Sequence, residues 1–427
     1  MANTEPFKFP ASFVWGTATA AHQVEGQNVG SDFWALEHAE GTFFREPSGD
    51  ACDQLHRYRE DIARIADLGF GAYRLSIEWA RVEPEEEHFS RAALDHYRRV
   101  LACCHEHGLQ PCVTYHHFTS PAWAVSDGGW EGARILDRFA RYCERVTADL
   151  GDLMAWACTL NEPNLPASLV LSGVLPEPSG KAPPPFVVAA AQRCGQDPST
   201  WKPFLVGDAF RMRDVMVEAH LRARDVIHAG RSDLPVGVTL AIQDHVAVPG
   251  GEDRRRDALE RSILPFLEAA RDDDFVGVQT YSRTRFGSGG PLGAEAGVPV
   301  TIMGYEFWPE ALEGAIRYAA EISGVPILVT ENGLATEDDS ERIEYVQRAL
   351  QGVARCLQSG IDVRSYFYWS MLDNFEWFHG YDPRFGLIAV DRETQERTPK
   401  PSATWLGEIA RSGVLPTRAP GSSRRTP

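Results

Sequence analysis

The 427-residue chain is 43% hydrophobic and 10% aromatic, enough apolar surface to bury a large core. Its formal charge of −18 argues against a nucleic-acid partner or an anionic membrane surface, since either needs clustered Lys and Arg. A neutral small-molecule ligand is compatible with that acidity.

Short β-rich runs alternate with amphipathic stretches along the chain. Strands are predicted at Phe13–Ala18, Ala72–Ile77, Pro111–Tyr115, Met154–Leu160, Pro235–Ala241, Phe275–Thr280, Ile327–Thr330 and Arg364–Trp369. Helix-period segments fall between them: Cys52–Leu68, Arg91–His107, Ile135–Leu150, Phe210–Ala229, Trp308–Ile322 and Glu341–Gln358. Eight strands with intervening helices predict an α/β fold, a single (β/α)8 TIM barrel over residues 1–411. Two Pro- and Gly-rich stretches, Asn164–Asp208 and Gly287–Pro299, follow the fourth and sixth strands, so they are expected as extended loops on the C-terminal face. Residues 412–427, rich in Arg, Ser, Gly and Pro, are expected to form a disordered tail.

The eight cysteines include no CxxC pair and sit among apolar neighbours, which reads as reduced core thiols rather than a disulfide or zinc framework. The opening MANTEPFKFP lacks the basic start and apolar run of a secretory leader, and no run approaches the ~18 apolar residues of a membrane span. A soluble cytoplasmic protein is the expectation.

Polar residues gather after almost every predicted strand. Gln23 and Glu25 follow the first, Glu78 the second, and His116 and His117 the third. Asn161-Glu162-Pro163 ends the fourth, Tyr281 follows the sixth, Glu331-Asn332-Gly333 ends the seventh, and Asp373 to Trp377 follow the eighth. On a barrel these ends converge on one mouth. A lone Glu after a strand is usually a solvated loop residue or a helix cap, but two of them, each beside an Asn at the end of an apolar run, suggest paired carboxyl chemistry. Tryptophans 369, 377, 15 and 34 are placed near that mouth, where indole faces suit a sugar ring and amides its hydroxyls. For Trp15 and Trp34 a core role fits equally well.

The run Phe13-Val-Trp-Gly-Thr-Ala-Thr-Ala-Ala-His-Gln-Val-Glu-Gly26 resembles the N-terminal signature of family 1 glycoside hydrolases, the β-glucosidase and β-galactosidase family. Tyr73-Arg-Leu-Ser-Ile-Glu-Trp79, Thr159-Leu-Asn-Glu-Pro163, Val329-Thr-Glu-Asn-Gly333, Tyr368 to Trp377, Arg384-Phe-Gly386 and Arg397-Thr-Pro-Lys400 follow in that family's order. The resemblance implies a retaining β-glycosidase that cleaves terminal β-D-glycosides with Glu162 as acid/base and Glu331 as nucleophile. It implies that Arg74 and Tyr281 hold the nucleophile. Gln23, His116, Asn161, Glu376 and Trp377 would bind the hydroxyls of the sugar, Trp369 would stack on it, and Tyr305 would meet the aglycone. Retention requires two carboxyls about 5–5.5 Å apart, one protonated and one ionised, and an Arg beside Glu331 would lower its pKa.

His117 and the His105/His107 pair are expected to be structural, and no metal and no cofactor are implied. Glu376 would repel a phosphate, which disfavours 6-phosphorylated sugars. The chain departs from the family at Gln279, where Asn is usual, at Tyr305, where Trp is usual, and at His117, where Trp is common. The stretch from Ile242 to Phe275 reads as little more than one helix and is shorter than the family's usual segment, which would open the aglycone side. A transglycosidase and a non-catalytic sugar-binding barrel are the rival readings. The sugar preferred, the natural aglycone and the oligomeric state stay open.

Overall fold

The computed structural model describes residues 5–176 and 182–420. Eight strands close a parallel barrel: β1 (Val14–Ala18), β2 (Ala72–Ser76), β3 (Gln110–His116), β4 (Trp156–Asn161), β5 (Val236–Ala241), β6 (Phe275–Gln279), β7 (Ile327–Asn332) and β8 (Val363–Trp369). Each pairs with its sequence neighbour, and β8 closes on β1 with Tyr366 opposite Trp15. All eight are the predicted strands, with ends moved by a residue or two. Strand interiors are buried on both faces, which is why they appear in the sequence as continuous apolar runs.

Two cores result. Inside the barrel, Ala72, Cys112, Cys158, Phe275, Leu328 and Phe367 pack together. Small residues are needed there: a Cβ on Gly16 would stand 2.4 Å from the Phe367 ring, so β1 must carry Gly at that level. The larger core lies between strands and helices and takes Tyr73, Leu75, Val113 and Tyr115 from the alternate positions. Its helices include Gln54–Leu68, Arg91–Glu106, Arg134–Leu150, Ala209–Gly230, Ala311–Ser323, Asp339–Gln358 and Pro401–Ser412. Trp15 belongs to this core, packed on Phe9 at 4.8 Å and Phe13 at 4.9 Å, away from the mouth. Trp34 sits in the short helix Asp32–Glu37, 4.3 Å from the His38 ring, and is likewise no part of the cluster at the strand ends.

The two loop stretches carry more structure than their composition suggested. Asn164–Asp208 contains the helices Leu165–Leu171 and Pro185–Arg193, the second begun by Pro at its first position. Gly287–Pro299 enters a hairpin in which Arg283–Gly287 and Gly290–Leu292 pair antiparallel, and Asp244–Ala247 adds a parallel third strand. The stretch between Ile242 and Phe275 is therefore not a single helix: it holds that strand and two helices, Glu252–Ser262 and Leu264–Ala269, separated at Ile263.

The tail boundary also moves. Val414–Leu415, within the stretch expected to be disordered, pairs antiparallel with Phe7–Lys8 in a separate two-stranded sheet, so that each segment supplies partners for the other's backbone groups. Residues 421–427 lie outside the described residues.

Candidate active site

Arg74 organises the mouth from inside the barrel. It projects from β2 two residues above Ala72, is 0% exposed, and splits its guanidinium between two partners. Nη1 donates to Glu331 Oε1 at 2.6 Å and Nη2 to Asn161 Oδ1 at 2.5 Å. Gln279, at the end of β6, closes the figure: its Nε2 donates to Glu331 Oε1 at 3.0 Å and to Asn161 Oδ1 at 2.9 Å. Thr239 on β5 adds a third donor to Asn161 Oδ1, at 3.2 Å. The longer amide at position 279, where the family usually has Asn, thus reaches the Glu331 carboxylate.

Both key carboxyls come from strand ends where the register breaks. In β7 the pairing shifts between Val329 and Glu331, so Thr330 and Glu331 both face inward. In β4 the shift falls between Cys158 and Asn161, and Glu162 follows with φ +46°, a left-handed conformation uncommon for a non-Gly residue. Asn332 locks the β7 irregularity by donating to the Thr280 carbonyl at 2.6 Å and accepting from Tyr366 at 2.8 Å.

The two carboxyls have unlike surroundings. Glu331 accepts from Arg74 and Gln279 on one oxygen and from the Tyr281 hydroxyl, at 2.6 Å, on the other. Among the described residues, the Glu162 carboxyl has no hydrogen-bond or ion-pair partner. Burial raises the pKa of both. For Glu331, Arg74 and the Tyr281 hydroxyl offset part of that rise, whereas the negative charge of Glu331 pushes Glu162 further up, well above the ordinary range. The net direction at Glu331 is upward, contrary to the lowering expected from Arg74, because desolvation exceeds the cation's pull. The order of ionisation is nevertheless as expected: Glu331 loses its proton first.

Around this pair the remaining polar groups converge. Gln23 is fully buried and donates to the Phe375 carbonyl at 2.7 Å and to Glu376 Oε2 at 3.3 Å. Glu376 also takes a hydrogen bond from Trp369, and burial with the nearby charge of Glu331 pushes its pKa up to about 8. Trp377, with φ +49°, lies parallel to His22 at 5.6 Å and to His117 at 6.1 Å. Tyr305 is half-buried near Glu376, whose charge adds to burial in raising its phenol pKa.

The two adjacent histidines exchange the places expected of them. His116 packs against Trp130 at 4.7 Å and Phe139 at 6.1 Å, bonds Ser120 at 3.0 Å, and faces the helix layer. His117 bonds the Asn161 amide at 3.1 Å and lies parallel to Trp369 at 5.8 Å. Strict alternation from Cys112 and Thr114 would have turned His116 inward. The strand instead stays in register with β4, pairing His116 with Leu160, a residue of the strand–helix core, so the break before Asn161 is shared by both strands. His117 and Asn161 are therefore the residues returned to the mouth. Glu25 and Glu78 do not join them: Glu25 pairs with Arg81 at 2.8 Å, and Glu78 caps the helix Trp79–Val82.

A carboxylate held by a cation and two neutral donors can attack an electrophilic carbon. A buried, uncompensated carboxyl keeps its proton and can give it to a leaving oxygen.

The profile of "Glycosyl hydrolase family 1" matches residues 5–288 and 289–414. Beta-glucosidase A of Thermotoga maritima is 30% identical over 466 aligned positions that cover 96% of this chain and 99% of the relative. A bifunctional beta-D-glucosidase/beta-D-fucosidase of Bifidobacterium breve is 31% identical, covering 93% and 97%. Among solved structures, beta-glycosidase BGL167 superposes with a TM-score of 0.91 at 56% identity over 98% of this chain and 100% of that one. A beta-glucosidase from Thermotoga maritima in complex with glucoimidazole gives 0.81 at 28% identity, over 95% and 99%.

Proposed function

The chain belongs to glycosyl hydrolase family 1, and from that premise we propose that it hydrolyses β-D-glucosides with Glu331 as nucleophile and Glu162 as acid/base. The observation that carries the assignment is the contrast between the two carboxyls. Glu331 is held by Arg74, Gln279 and Tyr281, while among the described residues Glu162 has no cation bonded to it and keeps its proton longer. A Glu331 oxygen attacks the anomeric carbon as the bond to the aglycone oxygen breaks, and Glu162 passes its proton to that oxygen. The result is a glycosyl ester on Glu331 and a Glu162 carboxylate. Glu162 then takes a proton from water, the water oxygen attacks the anomeric carbon, and the ester bond breaks to free Glu331. Two inversions give net retention.

Asn161, His117, Gln23 and Glu376 meet the hydroxyls of the reacting sugar, with Trp369 as its platform. His117 replaces His116 in this set because it carries the bond to Asn161. Glucose as the sugar is supported by the names of the relatives, several of which are beta-glucosidases and one of which also acts as a fucosidase. All eight cysteines are free thiols, which supports a reducing, cytoplasmic location; among the described residues no helix is long and apolar enough to cross a membrane.

The test is hydrolysis of 4-nitrophenyl β-D-glucoside followed by proton NMR of the first-formed sugar. Wild type should release the β-anomer, and Glu331→Gln should be inactive. Release of the α-anomer, or undiminished turnover by Glu331→Gln, would remove Glu331 from the role of nucleophile.

A further inference from the structure

We propose that His22 is a positioning residue for the sugar site: it fixes the plane of the Trp377 indole, and through it how tightly the reacting sugar is held. The inference rests on the glycosidase reading above and names a residue that this reading leaves without a role. His22 precedes Gln23 in the short helix Ala21–Val24, within the run Phe13–Gly26. Its side chain is fully enclosed, and among the described residues it bonds Glu37 and Asn28 rather than Glu162 or Glu331.

The His22 ring lies flat against Trp377, with centroids 5.6 Å apart and planes inclined by 3°. Beyond the indole the column continues: His117 lies 6.1 Å from Trp377 at 20° and 5.8 Å from Trp369 at 23°. His22 is thus one end of a stack whose other end is the proposed sugar platform. Trp377 needs such a backing. Its φ of +49° is a left-handed conformation, which a non-Gly residue keeps only where its surroundings over-determine it. Phe33 and Phe118 close further sides at 5.3 and 5.0 Å, but they cross the indole at 72° and 48°, so neither sets its plane.

Two hydrogen bonds fix the imidazole in turn. The Asn28 amide donates to Nδ1 at 3.0 Å, which leaves the ring proton on Nε2, facing Glu37 Oε2 at 3.4 Å. Glu37 is itself buried, and its other oxygen accepts from the Ser48 hydroxyl at 2.6 Å. The Ser48 carbonyl accepts from the Tyr381 hydroxyl, and the Tyr381 ring packs on Phe375 at 5.5 Å. Phe375 meets the His22 ring edge-on at 5.9 Å, so the circuit closes where it began. A phenyl ring could stack in the same place, but its rotation would be free within the packing. Bonds at both nitrogens hold the imidazole at one angle.

The deciding measurement is a double-variant cycle in steady-state kinetics on 4-nitrophenyl β-D-glucoside, with wild type, His22→Phe, Trp377→Phe and the two combined. His22→Phe keeps a ring behind the indole and removes both anchors. It should raise KM about tenfold while kcat stays within about threefold, because the weakened hold on the sugar is shared by ground state and transition state. In the Trp377→Phe background the same replacement should add less than about twofold, since it acts through the indole. Asn28→Ala removes a single bond to the ring; it should raise KM about threefold, and it carries the test if His22→Phe does not fold. A purely structural His22 would instead lower the melting temperature and the active fraction, hence kcat, with KM unchanged, and that result would overturn the proposal. So would the full rise in KM appearing on top of Trp377→Phe, or a wild-type KM in Trp377→Phe alone. Failure of the glycosidase reading is distinct: wild type itself would leave 4-nitrophenyl β-D-glucoside unhydrolysed, and the inference would fall with it.

Discussion

The sides of the mouth that carry Glu331 and Glu162 differ in nearly every physical respect. Around Glu331 the side chains are polar, buried and mutually bonded, with Arg74 reaching two strands at once. Around Glu162 the backbone turns left-handed, the carboxyl has no hydrogen-bond or ion-pair partner among the described residues, and the chain leads straight into the apolar helix Leu165–Leu171. Two identical side chains at the same end of one barrel are thus given unequal hold on their protons by what surrounds them. A buried carboxyl without a bonded cation holds its proton to higher pH, while one bonded to a cation ionises more readily.

The most severe way to break the contrast is to remove either carboxyl. Glu331→Gln and Glu162→Gln should each lower kcat for unactivated glucosides by about a thousandfold or more, as loss of a nucleophile or a general acid does. With 4-nitrophenyl glucoside, whose leaving group needs little protonation, Glu162→Gln should lose much less in the first step than Glu331→Gln. Turnover traces with an initial burst would show it.

Next in size, Arg74→Met strips Glu331 of its cation. Its carboxyl pKa should rise further. Because the nucleophile must be ionised, activity that is lost as pH falls should then be lost at higher pH than in wild type. The opposite limb reports Glu162, which must be protonated: activity falls as pH rises through its raised pKa, and that limb should vanish in Glu162→Gln. A pH profile of kcat/KM for the three proteins checks both signs. Arg74→Met should also lower stability by about 3–5 kcal/mol by leaving a buried charge unpaired, measurable by urea titration.

The two histidines sharpen the comparison at intermediate size. His117→Ala should reduce kcat/KM by about a hundredfold with modest loss of stability, since it removes a group that bonds Asn161 in the proposed sugar site. His116→Ala should do the reverse, because burial among Trp130, Phe139 and Phe204 already keeps it neutral, with a pKa pushed down to about 3. Equal effects of the two on KM would contradict the placement. The smallest effect is expected in a melting curve: Glu162→Gln removes a buried carboxyl whose raised pKa costs stability as it ionises. At pH above that raised value the variant should melt about 2–4 °C higher than wild type, and the gain should disappear in acid.

Most of the fold was legible because barrel strands are buried on both faces and appear in the sequence as apolar runs, while helices at 3.6 periodicity separate them. The short helices Leu165–Leu171 and Pro185–Arg193 were not, since Pro and Gly dominate their surroundings and too few residues are present to establish a period. At the site, Glu162, Glu331, Arg74 and Tyr281 come together where the motifs suggested. His116 does not, and the reason is geometric: one shared break of alternation in β3 and β4 is invisible to a pattern that assumes period two. Thr239, which donates to Asn161 and accepts from Arg74, carries no motif at all, so only the folded barrel reveals it.

The hydrogen bond from Gln23 to Glu376 spans 353 residues of sequence. A growing or refolding chain can form most of its strand pairs between neighbours, yet this pair, proposed to meet the sugar, exists only after the last strand has found the first. Late contacts of such separation are slow to form because loop closure precedes any gain from them. Enzymatic activity should therefore return after the bulk of the helical signal in refolding, and a chain released before residue 376 would be inert however well its early strands had paired.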